Sequence, residues 1–235
     1  MRFPNPVFVA LDTADLTRAT ALARAVKPYV GGLKVGLEFI SALGPDGVRR
    51  IVETGVPVFA DVKFHDIPNT VAGAARAIAG LGVAMFNVHA SGGEAMMRAA
   101  ADAVAHVTPR PLLIAVTVLT SMDEAALEEV GQRGPAEAQV ERLAALTKSS
   151  GLDGVVCSAH ELAAVRKVAG PDFLTVVPGI RPSGAAVGDQ RRIMTPASAR
   201  AAGADILVIG RPITAANDPA EAARLIAQDL GIPGI

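Results

Sequence analysis

Short apolar runs rich in β-branched residues recur along the chain: 7–12 (VFVALD), 32–36 (GLKVG), 58–63 (VFADVK), 84–90 (AMFNVHA), 112–120 (LLIAVTVLT), 154–158 (GVVCS), 174–180 (LTVVPGI) and 206–210 (ILVIG). Runs of this length and composition predict strands. Ala-rich segments with helical spacing lie between them, among them 15–30, 67–80, 93–107, 136–149, 159–168 and 219–230. Asp15 and Ser158 stand where helices start, and Gly31, Gly82, Gly151, Gly170 and Gly231 stand where they stop.

Strict alternation of strand and helix implies a parallel sheet, and eight repeats imply a closed (β/α)8 TIM barrel of class α/β. An open doubly wound sheet would need a Gly-rich phosphate turn after the first strand. Leu11-Asp12-Thr13-Ala14-Asp15 follows instead, with no G-x-G-x-x-G. The spacing is uneven: polar extra sequence from Ser121 to Pro135 precedes the fifth helix, and the loop Pro178–Arg192 after strand 7 is long and Gly-rich. No linker interrupts the series, so residues 1–235 are expected to form one barrel domain.

Composition narrows the class. The chain of 235 residues is 51% hydrophobic, enough for a large core, and its formal net charge of -1 offers no basic footprint for nucleic acid. It has no Trp and one Tyr, which disfavours an aromatic platform for single strands. Its one cysteine, Cys157, permits no internal disulfide, as expected in a reducing cytosol. Met1-Arg2-Phe3-Pro4-Asn5-Pro6 leads straight into a strand, without the apolar core of a signal peptide, and no apolar run reaches membrane-spanning length. The expectation is a cytoplasmic enzyme that engages neither membrane nor nucleic acid.

Active sites of such barrels lie at the C-terminal ends of the strands. The polar residues there are Asp12 on strand 1, Lys34 on strand 2, Asp61 and Lys63 on strand 3, Asn87 and His89 on strand 4, and Thr117, Thr120 and Ser121 on strand 5. Asp61 and Lys63 are two apart, so they share a face of the strand. Asp66 follows within one loop, and Pro68 suits a helix start. A lone Lys–Asp pair is often structural, and a lone strand-end Asp often caps a helix. Four charges of alternating sign on three adjacent strands are harder to explain that way, because buried charge networks seldom add stability. At roughly 4 Å and an effective dielectric near 20, each neighbouring pair is worth about 4 kcal/mol before desolvation. Carboxylates around Lys63 favour its charged form, which suits a general acid or an electrostatic anchor and not a Schiff-base nucleophile.

Loops after strands 7 and 8 are the usual phosphate site of these barrels. Here they read Pro178-Gly179-Ile180-Arg181-Pro182 and Ile209-Gly210-Arg211-Pro212. Gly lets backbone N–H groups approach an anion, and Arg offers two parallel donors. His65, Asp66 and His89 could gather about a cation, whereas His106 and His160 fall in or at helices apart from them. No H-x-x-x-H or Cys cluster accompanies any of them, so a hydrogen-bonding role is expected and no metal site.

The segment Asp61-Val62-Lys63-Phe64-His65-Asp66-Ile67-Pro68-Asn69-Thr70 closely resembles the signature of the orotidine 5′-phosphate decarboxylase family. Asp12, Gly32-Leu33-Lys34-Val35-Gly36, Asn87-Val88-His89-Ala90, Leu119-Thr120-Ser121, Pro178 to Pro182 and Gly210-Arg211-Pro212 follow in that family's order, so the resemblance covers essentially the whole chain. It implies decarboxylation of orotidine 5′-monophosphate to UMP, the last step of de novo pyrimidine synthesis, with neither metal nor organic cofactor. It further implies that Lys63 stabilises and protonates the C6 carbanion and that Asp61 holds Lys63 and faces the departing carboxylate. Lys34 would bridge Asp61 and the ribose, with Asp12 on the ribose hydroxyls. Thr120, assisted by Ser121, would read the pyrimidine edge. Gly210 and Arg211 would hold the phosphate, and Arg181 would belong to a closing loop from which Gln190 spans pyrimidine and phosphate. Asp66 and Thr70 would reach the neighbouring site of a homodimer, and Ile67 would bind substrate. Two alternatives stand. One is a Mg2+-dependent sister enzyme of the same barrel type, such as 3-keto-L-gulonate 6-phosphate decarboxylase or hexulose-phosphate synthase, which shares Asp-x-Lys but not the His-Asp-Ile-Pro-Asn-Thr continuation. The other is a non-catalytic nucleotide-binding barrel, which would need the phosphate loops but not the charge network.

Overall fold

A computed structural model describes residues 3–132, 134–182 and 194–234. Eight parallel strands close on themselves in sequence order, β1 (Val7–Ala10), β2 (Gly32–Val35), β3 (Val58–Phe64), β4 (Met85–His89), β5 (Leu112–Val116), β6 (Gly154–Val156), β7 (Leu174–Val177) and β8 (Ile206–Ile209), with β8 pairing back onto β1. This is the (β/α)8 barrel that the alternation predicts.

The helices pack outside: α1 (Leu16–Val26), α2 (Leu37–Val52), α3 (Pro68–Ala79), α4 (Gly93–Val104), α5 (Glu124–Glu129), α6 (Ala136–Ser149), α7 (Leu162–Ala169), α8 (Pro196–Ala201), α9 (Arg211–Thr214) and α10 (Pro219–Asp229). Asp15 caps α1, its carboxylate accepting from the backbone N–H groups of Thr17 and Arg18. Ser158 and Glu161 form a reciprocal capping box ahead of α7. Helices α1 and α7 are shorter than their Ala-rich segments suggest. Pro28 closes α1 into a single tight turn at Lys27–Tyr29, and the start of the 159–168 segment is likewise a tight turn. Helix α2 kinks at Gly44-Pro45, where Gly44 has φ 61°. The polar insertion after β5 folds in part as α5, capped by Asp123.

Every second strand residue faces the barrel axis. Phe8, Phe59, Met85, Ile114, Leu174 and Ile206 fill the lower interior, under Ala10, Val176 and Val208. The space is tight: a Cβ on Gly32 would stand 2.3 Å from the Phe8 ring, so only Gly lets that ring lie over the neighbouring strand. The other strand face packs against the helices in a second, larger apolar layer.

Most strands stop earlier than their apolar runs. Run 112–120 pairs regularly only to Val116, and run 174–180 ends at Val177 because Pro178 has no N–H and Gly179 turns at φ 75°. The early stops leave the polar ends of the runs as loops above the barrel.

β3 is the exception. Its pairing with β4 runs Phe59↔Met85 and Ala60↔Phe86, then resumes at Phe64↔Val88. Three residues, 61 to 63, therefore stand opposite the single residue 87. Two extra residues preserve the alternation, so Asp61 and Lys63 still face inward, but through a bulge and not a regular strand. Lys63 has φ 51° and is the one non-glycine residue with positive φ among those described. A non-glycine residue held there costs about 1–3 kcal/mol.

Candidate active site

The early ends of the strands open into a cavity of about 500 Å³ at the C-terminal face, a size suited to a small-molecule ligand. Its floor is apolar, with Ala10, Phe59, Val116, Val176 and Val208. One wall is a chain of charges. Asp12 holds Lys34 at 2.9 Å, Lys34 lies 3.6 Å from Asp61 Oδ2, and Asp61 Oδ1 accepts from Lys63 Nζ at 2.6 Å. The chain runs inward and out again: the Asp12 side chain is 54% exposed, Lys34 10%, Asp61 14% and Lys63 27%.

The close placement of Lys34 depends on Gly36, since a Cβ there would stand 2.7 Å from Lys34 Nζ and 3.2 Å from Asp12 Oδ1. Asn87, fully buried on β4, secures the other end. Its Nδ2 donates to Asp61 Oδ1 at 2.7 Å, and its Oδ1 accepts the Lys63 backbone N–H at 2.7 Å. Thus the N–H that the bulge withdraws from the sheet ladder is satisfied by a side chain.

Burial by itself would raise the Asp61 carboxyl. The Lys34 and Lys63 ammonium charges, with hydrogen bonds from Lys63 and Asn87, outweigh it and hold the group below the usual carboxylate range. Its ionised form therefore favours the folded state above the ordinary Asp range, and that contribution disappears as pH falls through the lowered value. His89 is shifted the other way for a base. Burial, then the nearby His65 and Lys63, disfavour its charged form despite Asp61, and its pKa is lowered. The two imidazole rings lie 5.6 Å apart at 33°. Among the described residues, no three His, Cys, Asp or Glu side chains gather as a metal site.

The ends of β5, β7 and β8 complete the cavity. Thr120, Gly179, Arg181, Gly210 and Arg211 all line it. Arg181 is buried, and its guanidinium donates to the carbonyl of Ile180 at 2.9 Å. Its own N–H donates to Met194 O at 3.0 Å, beside the bridge Ile180↔Met194, so the two ends of the 178–194 connection are joined.

The structure thus brings Asp12, Lys34, Asp61, Lys63, Thr120, Arg181, Gly210 and Arg211 around one cavity. It does not bring Asp66, Ile67, Thr70 or Ser121 to that wall. Residues 65–70 are exposed throughout, with Ile67 68% exposed, and Ser121 is also exposed. Gln190 lies outside the described residues. Two features of the site escape the sequence reading. Glu38 lines the wall from the first turn of α2, where the only signal is its position just beyond Gly36. Asn87 reads as a strand-end residue, but its two-sided hydrogen bonding depends on the bulge in the neighbouring strand.

A family model described as orotidine 5′-phosphate decarboxylase / HUMPS family matches residues 5–226. The chain is 54% identical to an orotidine 5′-phosphate decarboxylase of Paramagnetospirillum magneticum, over 97% of this chain and 99% of that one. It is 55% identical to one of Halorhodospira halophila, over 100% of both. A crystal structure of orotidine 5′-phosphate decarboxylase from Lactobacillus acidophilus superposes with TM-score 0.84 at 39% identity, covering 96% of this chain and 98% of that one.

Proposed function

The chain belongs to the orotidine 5′-phosphate decarboxylase / HUMPS family, and on that premise we infer that it is an orotidine 5′-phosphate decarboxylase. It removes carbon dioxide from orotidine 5′-monophosphate to give UMP, the last step of de novo pyrimidine synthesis. Within a family that also holds sugar-phosphate enzymes, the identity to relatives named for this activity selects it. The observation in the site that carries it is the Asp12–Lys34–Asp61–Lys63 chain in a cavity also lined by Gly210 and Arg211.

In this reading the nucleotide phosphate lies on Arg211 and the Gly210 amide, the ribose on Asp12 and Lys34, and the pyrimidine edge on Thr120, with Gln190 spanning pyrimidine and phosphate. Asp61 faces the departing carboxylate. The C6–carboxylate bond breaks, CO2 leaves, and the electron pair stays on C6. The Lys63 ammonium stabilises that charge and donates its proton to C6, then regains one from solvent. A fixed ammonium beside growing negative charge binds the transition state more strongly than the ground state, which is the requirement for catalysis. Contacts to the phosphate, remote from C6, supply binding energy for closing the site over the substrate.

The same reading makes the protein a cytoplasmic homodimer of one-domain barrels, acting on a small nucleotide with no membrane or nucleic-acid partner. The exposed run 65–70 supports the dimer, because Asp66, Ile67 and Thr70 turn away from their own cavity and are free to enter a neighbour's. Among the described residues no helix is long and apolar enough to cross a membrane.

Ultraviolet-monitored turnover of orotidine 5′-monophosphate tests the function. Wild type should convert it and retain its rate in EDTA. No turnover defeats the reading, and a rate lost in EDTA favours the Mg2+-dependent sister enzymes. Mixing Asp66→Ala with Lys63→Ala protein should restore part of the activity through hybrid dimers, and no recovery counts against a shared site.

A further inference from the structure

We propose that Asn87 is a positioning residue for the decarboxylation, a role that rests on the function inferred above. The bulge in β3 sets three residues, 61 to 63, against Asn87 alone. It also places Lys63 at φ 51°, a backbone conformation that a lysine does not hold without support. Asn87 supplies that support from a fully buried position. Its Oδ1 accepts the Lys63 backbone N–H at 2.7 Å, and its Nδ2 donates at 2.7 Å to Asp61 Oδ1. That oxygen is the one that also accepts from Lys63 Nζ at 2.6 Å. One rigid amide therefore holds the main chain of the lysine and the carboxylate that holds its ammonium.

Side-chain chemistry restricts what can do this. A primary amide presents one acceptor and two donors in a single plane. Leucine presents neither. An ionised aspartate of the same shape keeps the acceptor toward Lys63 N–H but turns a second carboxylate toward Asp61. If Asn87 only filled the interior, its replacement would change stability and leave the chemistry of folded protein intact. If it aims Lys63, replacement should lower kcat and spare KM, because the phosphate and ribose contacts come from other strands.

The experiment compares wild type, Asn87→Leu and Asn87→Asp in kcat, KM and melting temperature across pH. Asn87→Leu should lose roughly 100-fold in kcat at every pH, as small misplacements of reacting groups do, with KM within a few-fold of wild type. Asn87→Asp should be pH-dependent in a way wild type is not. While its new carboxyl is protonated it can donate to Asp61 as the amide does. Once ionised, it sets like charges side by side and draws the Lys63 ammonium off its line. Its kcat relative to wild type should therefore rise at least tenfold from high to low pH. Wild-type kcat in folded Asn87→Leu overturns the proposal, as does a constant Asn87→Asp to wild-type ratio across pH. If Asn87→Leu does not fold, the isosteric Asn87→Asp decides alone through that ratio. Absence of turnover by wild type would defeat the functional reading itself, which is a distinct outcome from active wild type with indifferent Asn87 variants.

Discussion

The two ends of this barrel both carry carboxylate–cation pairs, but they spend their oxygens differently. At the base, Asp205 precedes β8 and accepts from the Thr175 backbone N–H at 2.8 Å and from Arg166 at 2.8 Å. Arg166 in turn donates to the carbonyls of Pro171, Phe173 and Gly203. Asp153 precedes β6 and repeats the arrangement, accepting from Leu113 N–H at 2.8 Å and from Arg110 at 3.0 Å. These pairs tie the start of one strand to its neighbour. At the C-terminal face, no backbone N–H among the described residues donates to Asp12 or Asp61, whose partners are ammonium groups and the Asn87 amide. The base carboxylates bind chain to chain, whereas Asp12 and Asp61 bind the side chains of Lys34, Lys63 and Asn87. The first kind of pair does structural work. The second faces the cavity and is intelligible through what enters it.

Four substitutions would break or sharpen this contrast. Lys63→Ala should lower kcat by about 10,000-fold or more, since in the mechanism proposed above it removes both the proton donor and the electrostatic partner of C6, while the urea midpoint shifts little. A large loss of stability would make Lys63 a structural residue after all. Asp205→Ala should do the reverse, costing about 3 kcal/mol of unfolding free energy in urea, because it leaves Arg166 and the Thr175 N–H without their shared acceptor. Its folded fraction should keep wild-type kcat, and a large fall in kcat would erase the distinction. Gly36→Ala places a methyl 2.7 Å from Lys34 Nζ, so the ammonium must shift from its place between Asp12 and Asp61. A drop in kcat/KM of roughly 10- to 100-fold, with little change in melting temperature, is expected. The smallest effect concerns His89. Its lowered pKa means that the unfolded chain binds the proton more readily, so folding stability falls as pH drops from about 6.5, the ordinary His value. Replacing it with Gln should flatten the fall in melting temperature between pH 8 and pH 5.5, and an unchanged slope would remove His89 from the account.

Much of the barrel was legible because strand and helix signals are local. Eight apolar runs in alternation with Ala-rich segments mark the eight strands, and the acids and lysines at their ends mark the cavity face. What escaped depends on pairing between strands distant in sequence. The composition of Phe59 to Phe64 says nothing of the extra residues against β4 or of the positive φ at Lys63, because both follow from register. Nearness in sequence alone would pair Asp66 with Lys63, but it lies in an exposed run, and only the resemblance assigns it to a neighbouring site. The sequence marks the base pairs only by a repetition, Gly151-Leu152-Asp153 before β6 and Gly203-Ala204-Asp205 before β8. A Gly that ends a helix followed by an Asp that enters a strand reads as a plain connection until the Arg that joins it is seen in place.

The bulge in β3 also makes the length of the segment part of the machinery. Two residues in excess leave Asp61 and Lys63 on the inner face, but one more or one fewer would turn the following side chains toward the helices. Insertions and deletions between Ala60 and Phe64 are therefore constrained by parity, whatever residues they carry. A single-residue deletion there would keep most of the signature's letters and lose its geometry, a form of damage that a catalogue of point substitutions never samples.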